Sequence, residues 1–160
     1  MRTNTVADVS SAERLSVVKQ LLEQGKPDEA RMLLSGSRTP AETNALGVCL
    51  LRLGKTQEAI QLFRSLVLPG GGVVTSMDVP ASYRLNFASA LLADGNYDGF
   101  LSFINGVPAT DYVEAKRLHD VNDQWLQSVS FGRKVLWQLG LMQPASWPTL
   151  PTPIGTLDMM

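Results

Sequence analysis

The chain has 160 residues, 44% hydrophobic and 18% charged, with 14 Lys+Arg against 15 Asp+Glu, one His and one Cys. That length suits about one domain with a core that needs no disulfide or metal, and a lone His and a lone Cys exclude most metal sites. Neither half carries the positive excess that a phosphate backbone demands, so nucleic acid is not an expected partner; no cofactor is expected either.

Residues 1–10 are polar (Arg2, Thr3, Asn4, Thr5, Asp8, Ser10) and are expected to form a disordered arm. They lack the apolar run of roughly 7–15 residues that a signal peptide needs. The longest apolar stretch, Gly47 to Leu51, ends at Arg52, far short of the ~20 residues of a membrane span. The expectation is a soluble, cytoplasmic protein with no membrane partner.

Helix signals then repeat. Ser10-Ser11-Ala12-Glu13 is a capping box, Val17, Val18, Leu21 and Leu22 follow at helical spacing, and Gly25 stops the helix. Pro27-Asp28-Glu29-Ala30 starts another, because Pro suits the first turn and acids suit the positive end of the helix dipole. Met32, Leu33 and Leu34 supply its apolar face. Thr39-Pro40-Ala41-Glu42 opens a third helix, striped by Leu46, Cys49, Leu50 and Leu53 and closed by Gly54. Thr56-Gln57-Glu58-Ala59 opens a fourth, with Ile60, Leu62, Phe63, Leu66 and Val67 buried. Residues 69–79, including Pro69-Gly70-Gly71-Gly72, form a linker: no Gly-Lys-Ser/Thr follows the glycines and no strand precedes them, so they are not a phosphate loop. A fifth helix carries Tyr83, Leu85, Phe87, Leu91 and Leu92 to Gly95, and a sixth carries Phe100, Leu101, Phe103 and Ile104.

The character changes after Pro108. Asp111 to Glu114 reads as a capping box that opens a capping helix, or helix pair, over 109–140. Leu118, Val121, Trp125, Val129, Gly132, Leu136 and Leu139 lie on one face of it, and Gly132 is a candidate break. Residues 141–160 hold Pro144, Pro148, Pro151 and Pro153 and predict an extended tail.

The turn glycines 25, 54 and 95 lie 29 and 41 residues apart, and helix–turn–helix units near that period mark a helical repeat. The middle unit resembles the tetratricopeptide repeat (TPR) family. Leu46-Gly47 stands where that repeat has Leu-Gly, Ala59 where it has its close-packing Ala, and Phe63 where it has an aromatic. The first unit matches at Gly25, Ala30 and Leu34, with Val18 in the small position. The third has Ala88 and Ile104 in place, but Phe100 replaces the Ala. The resemblance covers about residues 11–106. It implies an all-α, right-handed superhelix of three antiparallel helix pairs, with the long C-terminal helix as its cap.

The resemblance also implies that the first helix of each unit lines a concave groove. The lining places hold Leu15 and Lys19, then Asn44, Val48, Leu51 and Arg52, then Leu85, Asn86 and Ser89. Members that grip chaperone C-terminal carboxylates use a Lys-Asn, Asn, Lys-Arg clamp. The matching places here are Leu15 and Lys19, Ala45, then Ser82 and Asn86, so that clamp is missing. The expected function is recognition of another protein or peptide segment, as an adaptor, scaffold or assembly chaperone, with a homodimer as a further candidate. Trp137, off the core stripe, and Trp147, in the tail, are candidate interface residues; alternatively the tail folds back and Trp147 packs on its own protein.

Two rival readings remain. A structural subunit would have its groove filled by its own tail. A helical-scaffold enzyme would use His119 with Asp120 and Asp123. A residue at i+1 does not face His119 on a helix whereas Asp123 at i+4 does, and a solvated pair is the plainer reading, so no enzyme is expected. Cys49, mid-helix among Leu46, Val48, Leu50 and Leu51, reads as a small buried hydrophobe.

Overall fold

The structure, a computed structural model, describes residues 10–36, 39–71, 79–142 and 146–157. Most of the expected arm (1–10), the linker segment 72–78 and Pro144 lie outside the described residues.

The described residues form an all-α fold. Its helices are α1 (Ser11–Glu23), α2 (Pro27–Leu33), α3 (Pro40–Arg52), α4 (Thr56–Val67), α5 (Ala81–Ala93), α6 (Tyr97–Ile104), α7 (Val113–Ser128) and α8 (Phe131–Gln138), with a 3-10 turn at Pro69–Gly71. Two of the start signals work as read. Ser10 with Glu13, and Thr39 with Glu42, form complete capping boxes, each satisfying two amides that a helix start leaves without partners.

The three turn glycines do one job in one way. At Gly25 (φ 74°), Gly54 (φ 75°) and Gly95 (φ 80°) the chain enters the left-handed region. The next residue then donates back to the helix, Lys26 to Leu21 O, Lys55 to Leu50 O and Asn96 to Leu91 O, at 2.8–2.9 Å. This is the Schellman closure, and it reverses the chain so that α1 packs on α2, α3 on α4 and α5 on α6. Successive pairs also meet through α2 with α3 and α4 with α5. The odd helices approach their odd neighbours (α1 and α3, α3 and α5, α5 and α7), whereas among the described residues α2, α4 and α6 make no close backbone approach to one another.

The core runs through these pairs. Val18, Ala30, Leu34, Val48, Cys49, Ala59, Phe63, Phe87, Phe100 and Ile104 are buried in one continuous cluster. The pair α3–α4 packs tightly where Gly47 faces the Phe63 ring: a Cβ on Gly47 would lie 2.5 Å from Phe63 Cε1.

Three expectations need correction. Met32 and Leu33 are exposed, and α2, only two turns long, buries Ala30 with Leu34 following at its C-cap. The Asp111–Glu114 box does not form, because α7 starts one residue later with Tyr112 at its N-cap, and Glu114 turns instead to Arg117 at 3.3 Å. The long stripe divides at Val129–Ser130, where the backbone is extended, and not at Gly132, which lies inside α8. Ser128 Oγ donates to the Trp125 carbonyl at 2.7 Å, the local bond by which Ser competes with helix continuation. Beyond that break Leu136 and Leu139 leave the buried face, and Phe131 is also exposed.

Gly47→Val is therefore expected to cost about 1–3 kcal/mol through overpacking against Phe63, despite the better helix propensity of Val. Gly132→Ala, with nothing within 4 Å of the added Cβ, is expected to raise stability by up to about 1 kcal/mol. Urea midpoints of the two variants check both.

Candidate functional site

The odd helices present side chains to a common face, and residues 146–157 lie across it. Their path begins at α7, where Trp125 Nε1 donates to the Ser146 carbonyl at 2.9 Å. Trp147 then stacks on Tyr97 with ring centroids 5.1 Å apart, and Trp125 and Trp137 close around the same Tyr97 ring at 4.9 and 5.4 Å. Tyr97 Oη donates to Asn122 Oδ1 at 2.6 Å, which satisfies the one polar atom in this aromatic cluster that burial would penalise most. Trp137 and Trp147 are thus half-buried against their own chain, the arrangement in which the tail folds back.

Further along, the polar contacts to the tail run through its main chain, while the Ile154 and Leu157 side chains pack against the core. Arg117 Nη1 donates to the Pro153 carbonyl at 2.9 Å, and Nη2 donates to that of Pro151. The Thr152–Pro153 bond is cis. Arg52 of α3 forks across the next carbonyls, Nε to Ile154 at 3.1 Å and Nη2 to Gly155 at 2.9 Å, while its Nη1 reaches Leu22 O at 2.8 Å. Burial pushes the Arg52 guanidinium below its ordinary value, and three carbonyls compensate the lost hydration. At the end of the path Asn86 of α5 closes a two-bond ring with one residue. Thr156 N donates to Asn86 Oδ1 and Asn86 Nδ2 donates to Thr156 O, both at 2.9 Å. The second Nδ2 hydrogen goes to Asn44 Oδ1 of α3 at 3.1 Å. Gly155, at φ 78°, lies directly on Val48.

The nine residues expected to line a groove therefore separate into groups. Asn86 and Arg52 bond the tail, Val48 supports it, and Asn44 anchors Asn86. Leu51 lines an open cleft of about 510 Å³ beside Thr152 and Pro153. Leu15 and Leu85 are core, Lys19 is half-buried on α1, and Ser89 is fully buried with no hydrogen-bond partner for its Oγ among the described residues. Sequence reasoning missed Arg117 and the Trp125 ring nitrogen. The only local signal at Arg117 is a cation one turn after Glu114, a spacing common to ordinary surface pairs.

His119 does not pair with Asp123: its Nε2 sits 3.1 Å from the Val107 carbonyl, and Asp120 pairs with Lys116 at 2.6 Å. The His–carboxylate dyad of the enzyme reading is not assembled. Among the described residues no cluster of three His, Cys, Asp or Glu has metal-binding geometry, and no helix is long and apolar enough to cross a membrane. Compared with protein-family models, curated proteins and solved structures, the chain matches none of them.

Directly behind Val48, Cys49 is fully buried, and burial pushes its thiol up to about 11, partly offset by the positive charge of Arg52. Burial, with the charges of Asp98 and Asp123, likewise pushes Tyr97 up to about 12. An unfolded chain releases the Cys49 proton near its ordinary value of 9, whereas the folded chain keeps it. The stabilisation is therefore complete below pH 9 and is lost as pH rises towards 11. The expected loss is about 1 kcal/mol at pH 10. Urea unfolding across this range should show it, and Cys49→Ala should flatten that part of the profile.

Proposed function

We propose that the chain is a TPR-like, peptide-binding module whose concave face holds its own tail as a resident ligand. One observation carries this reading: the fully buried Asn86 carboxamide makes a two-bond ring with the Thr156 main chain. A side-chain amide used in this way reads the backbone of an extended peptide irrespective of its side chains. The TPR-like curvature is part of the proposal. Its support is that the odd helices draw close to one another while the even ones stay apart, as in a stack curved with the odd helices inside. The close Gly47–Phe63 crossing and the buried Ala59 fit the same repeat geometry. An adaptor, scaffold or assembly-chaperone role follows from such a face, with a protein segment as the partner and the tail as the element that must yield.

A second reading has its own observation. Pro148 is buried and Trp147 belongs to the aromatic cluster, so the first part of the tail acts as core. On that reading the chain is a structural subunit with a permanently filled face. The two parts of the tail differ in their main attachment: residues 146–150 are held chiefly by the Trp147, Pro148 and Leu150 side chains, and residues 151–156 by main-chain hydrogen bonds with the Ile154 side chain packed beside them.

A variant lacking residues 151–160 keeps Trp147 and Pro148, and it decides between these readings. It is expected to stay folded, with its melting temperature lowered by several degrees, and to bind a synthetic peptide of residues 150–160. The six tail hydrogen bonds to Asn86, Arg52 and Arg117 amount to a dissociation constant on the order of 100 µM. The full chain is expected to bind the same peptide at least tenfold more weakly. Precipitation of the variant would favour the structural subunit, and a folded variant indifferent to the peptide would contradict the binding module.

A further inference from the structure

The tail shows where this face accepts any residue and where it does not. From Pro151 to Thr156 the contacts to Arg117, Arg52 and Asn86 are made by carbonyls and one amide, which every residue supplies (every one but Pro, for the amide). Side chains matter at two places: Ile154 packs its apolar side chain against the core, and Gly155 is the stricter exception. Its φ of 78° lies in the left-handed region that L side chains rarely adopt. A Cβ there would lie 3.2 and 3.3 Å from the two Val48 methyls and 3.4 Å from Asn86 Oδ1. Val48 and Asn86 are both fully buried on adjacent helices, so neither side chain has free space to retreat into. The Arg52 bond to the Ile154 carbonyl holds the peptide unit before this residue, and the Arg52 bond to the Gly155 carbonyl with the Asn86 ring to Thr156 holds the one after it, so a chain slipped by one residue loses the fit.

We propose that Val48, Arg52 and Asn86 form a glycine-reading subsite. The face selects an extended segment of another protein that presents an apolar residue, then glycine, then a residue with a free backbone amide. The chain's own Ile154-Gly155-Thr156 is the built-in example of that ligand. Glycine sets the register, Arg52 takes the carbonyls of the apolar residue and the glycine, and Asn86 takes the amide and carbonyl of the residue that follows. This specificity rests on the peptide-binding reading above. It identifies the ligand as a glycine-containing extended segment, and helical or glycine-free segments are rejected.

The test uses the full chain with Gly155→Val, which unseats the tail while leaving every residue of the helices in place. Its probes are two fluorescein-labelled peptides of residues 150–157, one native and one with valine at the glycine position. The native peptide is expected to bind the Gly155→Val chain at least tenfold more tightly than it binds the unaltered chain, and at least tenfold more tightly than the valine peptide binds either. Binding of the two peptides within threefold of each other would overturn the glycine subsite and leave the peptide-binding reading standing. Absence of binding by both peptides to a folded Gly155→Val chain would overturn the two together. If that variant does not fold, the unaltered chain serves with its Val48 methyl resonances as reporters. Excess native peptide is then expected to shift them and excess valine peptide is not, and equal shifts, or none with either peptide, would overturn the subsite. A dimer whose fraction grows with concentration, with the native peptide unable to dissolve it, would also count against an external ligand.

Discussion

A carboxamide buried in a helical face has two N–H donors and an acceptor oxygen and no water to satisfy them, and leaving one of these unpaired costs on the order of 1–3 kcal/mol. Asn86 is in that position. It is fully buried on α5, and its partners are Asn44 from α3 and the main chain of Thr156. Neither helix supplies the missing bonds, so the arrangement is complete only when an extended chain crosses it. The rest of the site follows from that requirement. Thr156 must sit over Asn86, which places Gly155 on Val48 and brings the preceding carbonyls within reach of Arg52.

Two kinds of adhesion act on the tail, and they divide it. Around Trp147 the attachment is apolar, with three indoles and a tyrosine ring in mutual contact, one hydroxyl bonded to Asn122 and one ring nitrogen bonded to Ser146. Such a cluster is strong and insensitive to small shifts of the backbone. From Pro151 onward the attachment is mainly polar and geometric, made by two guanidinium groups and one amide, with Ile154 and Leu157 adding apolar contact. The first region therefore anchors the chain near α7, and the second lies along α3 and α5. The clefts of about 510 and 590 Å³ that flank the tail are consistent with a chain laid across a face more than with a chain buried inside it.

The parts of the fold encoded within four or five residues were legible in the sequence. The Ser10/Glu13 and Thr39/Glu42 boxes and the turn glycines 25, 54 and 95 all act as read, because caps and Schellman turns are local hydrogen-bond patterns. Asp111–Glu114 has the same spacing and fails, since one residue of delay moves Glu114 out of the third helical position and Arg117 claims its carboxylate. Periodicity misjudged Met32, Leu33, Leu136 and Leu139 for a different reason. An apolar stripe states which face a helix offers, whereas burial depends on whether a neighbour is there to accept it. Asn44, Val48, Arg52 and Asn86 were located by resemblance to a repeat, and that resemblance named positions without naming their occupant. The tail figures in the sequence only as a rival reading, and its register could not be read there: its contacts lie 70 residues from Asn86 and 102 from Arg52, a distance across which local pattern carries no signal. Arg117 was invisible for the same reason.

The central claim is that Asn86 holds the tail main chain in solution, and amide hydrogen exchange at Thr156 reads that bond directly. The account predicts exchange slowed on the order of a hundredfold relative to the free peptide, with the protection lost in Asn86→Ala. Exchange at Thr156 as fast as in the free peptide, from a chain whose helical amides are protected, would contradict it.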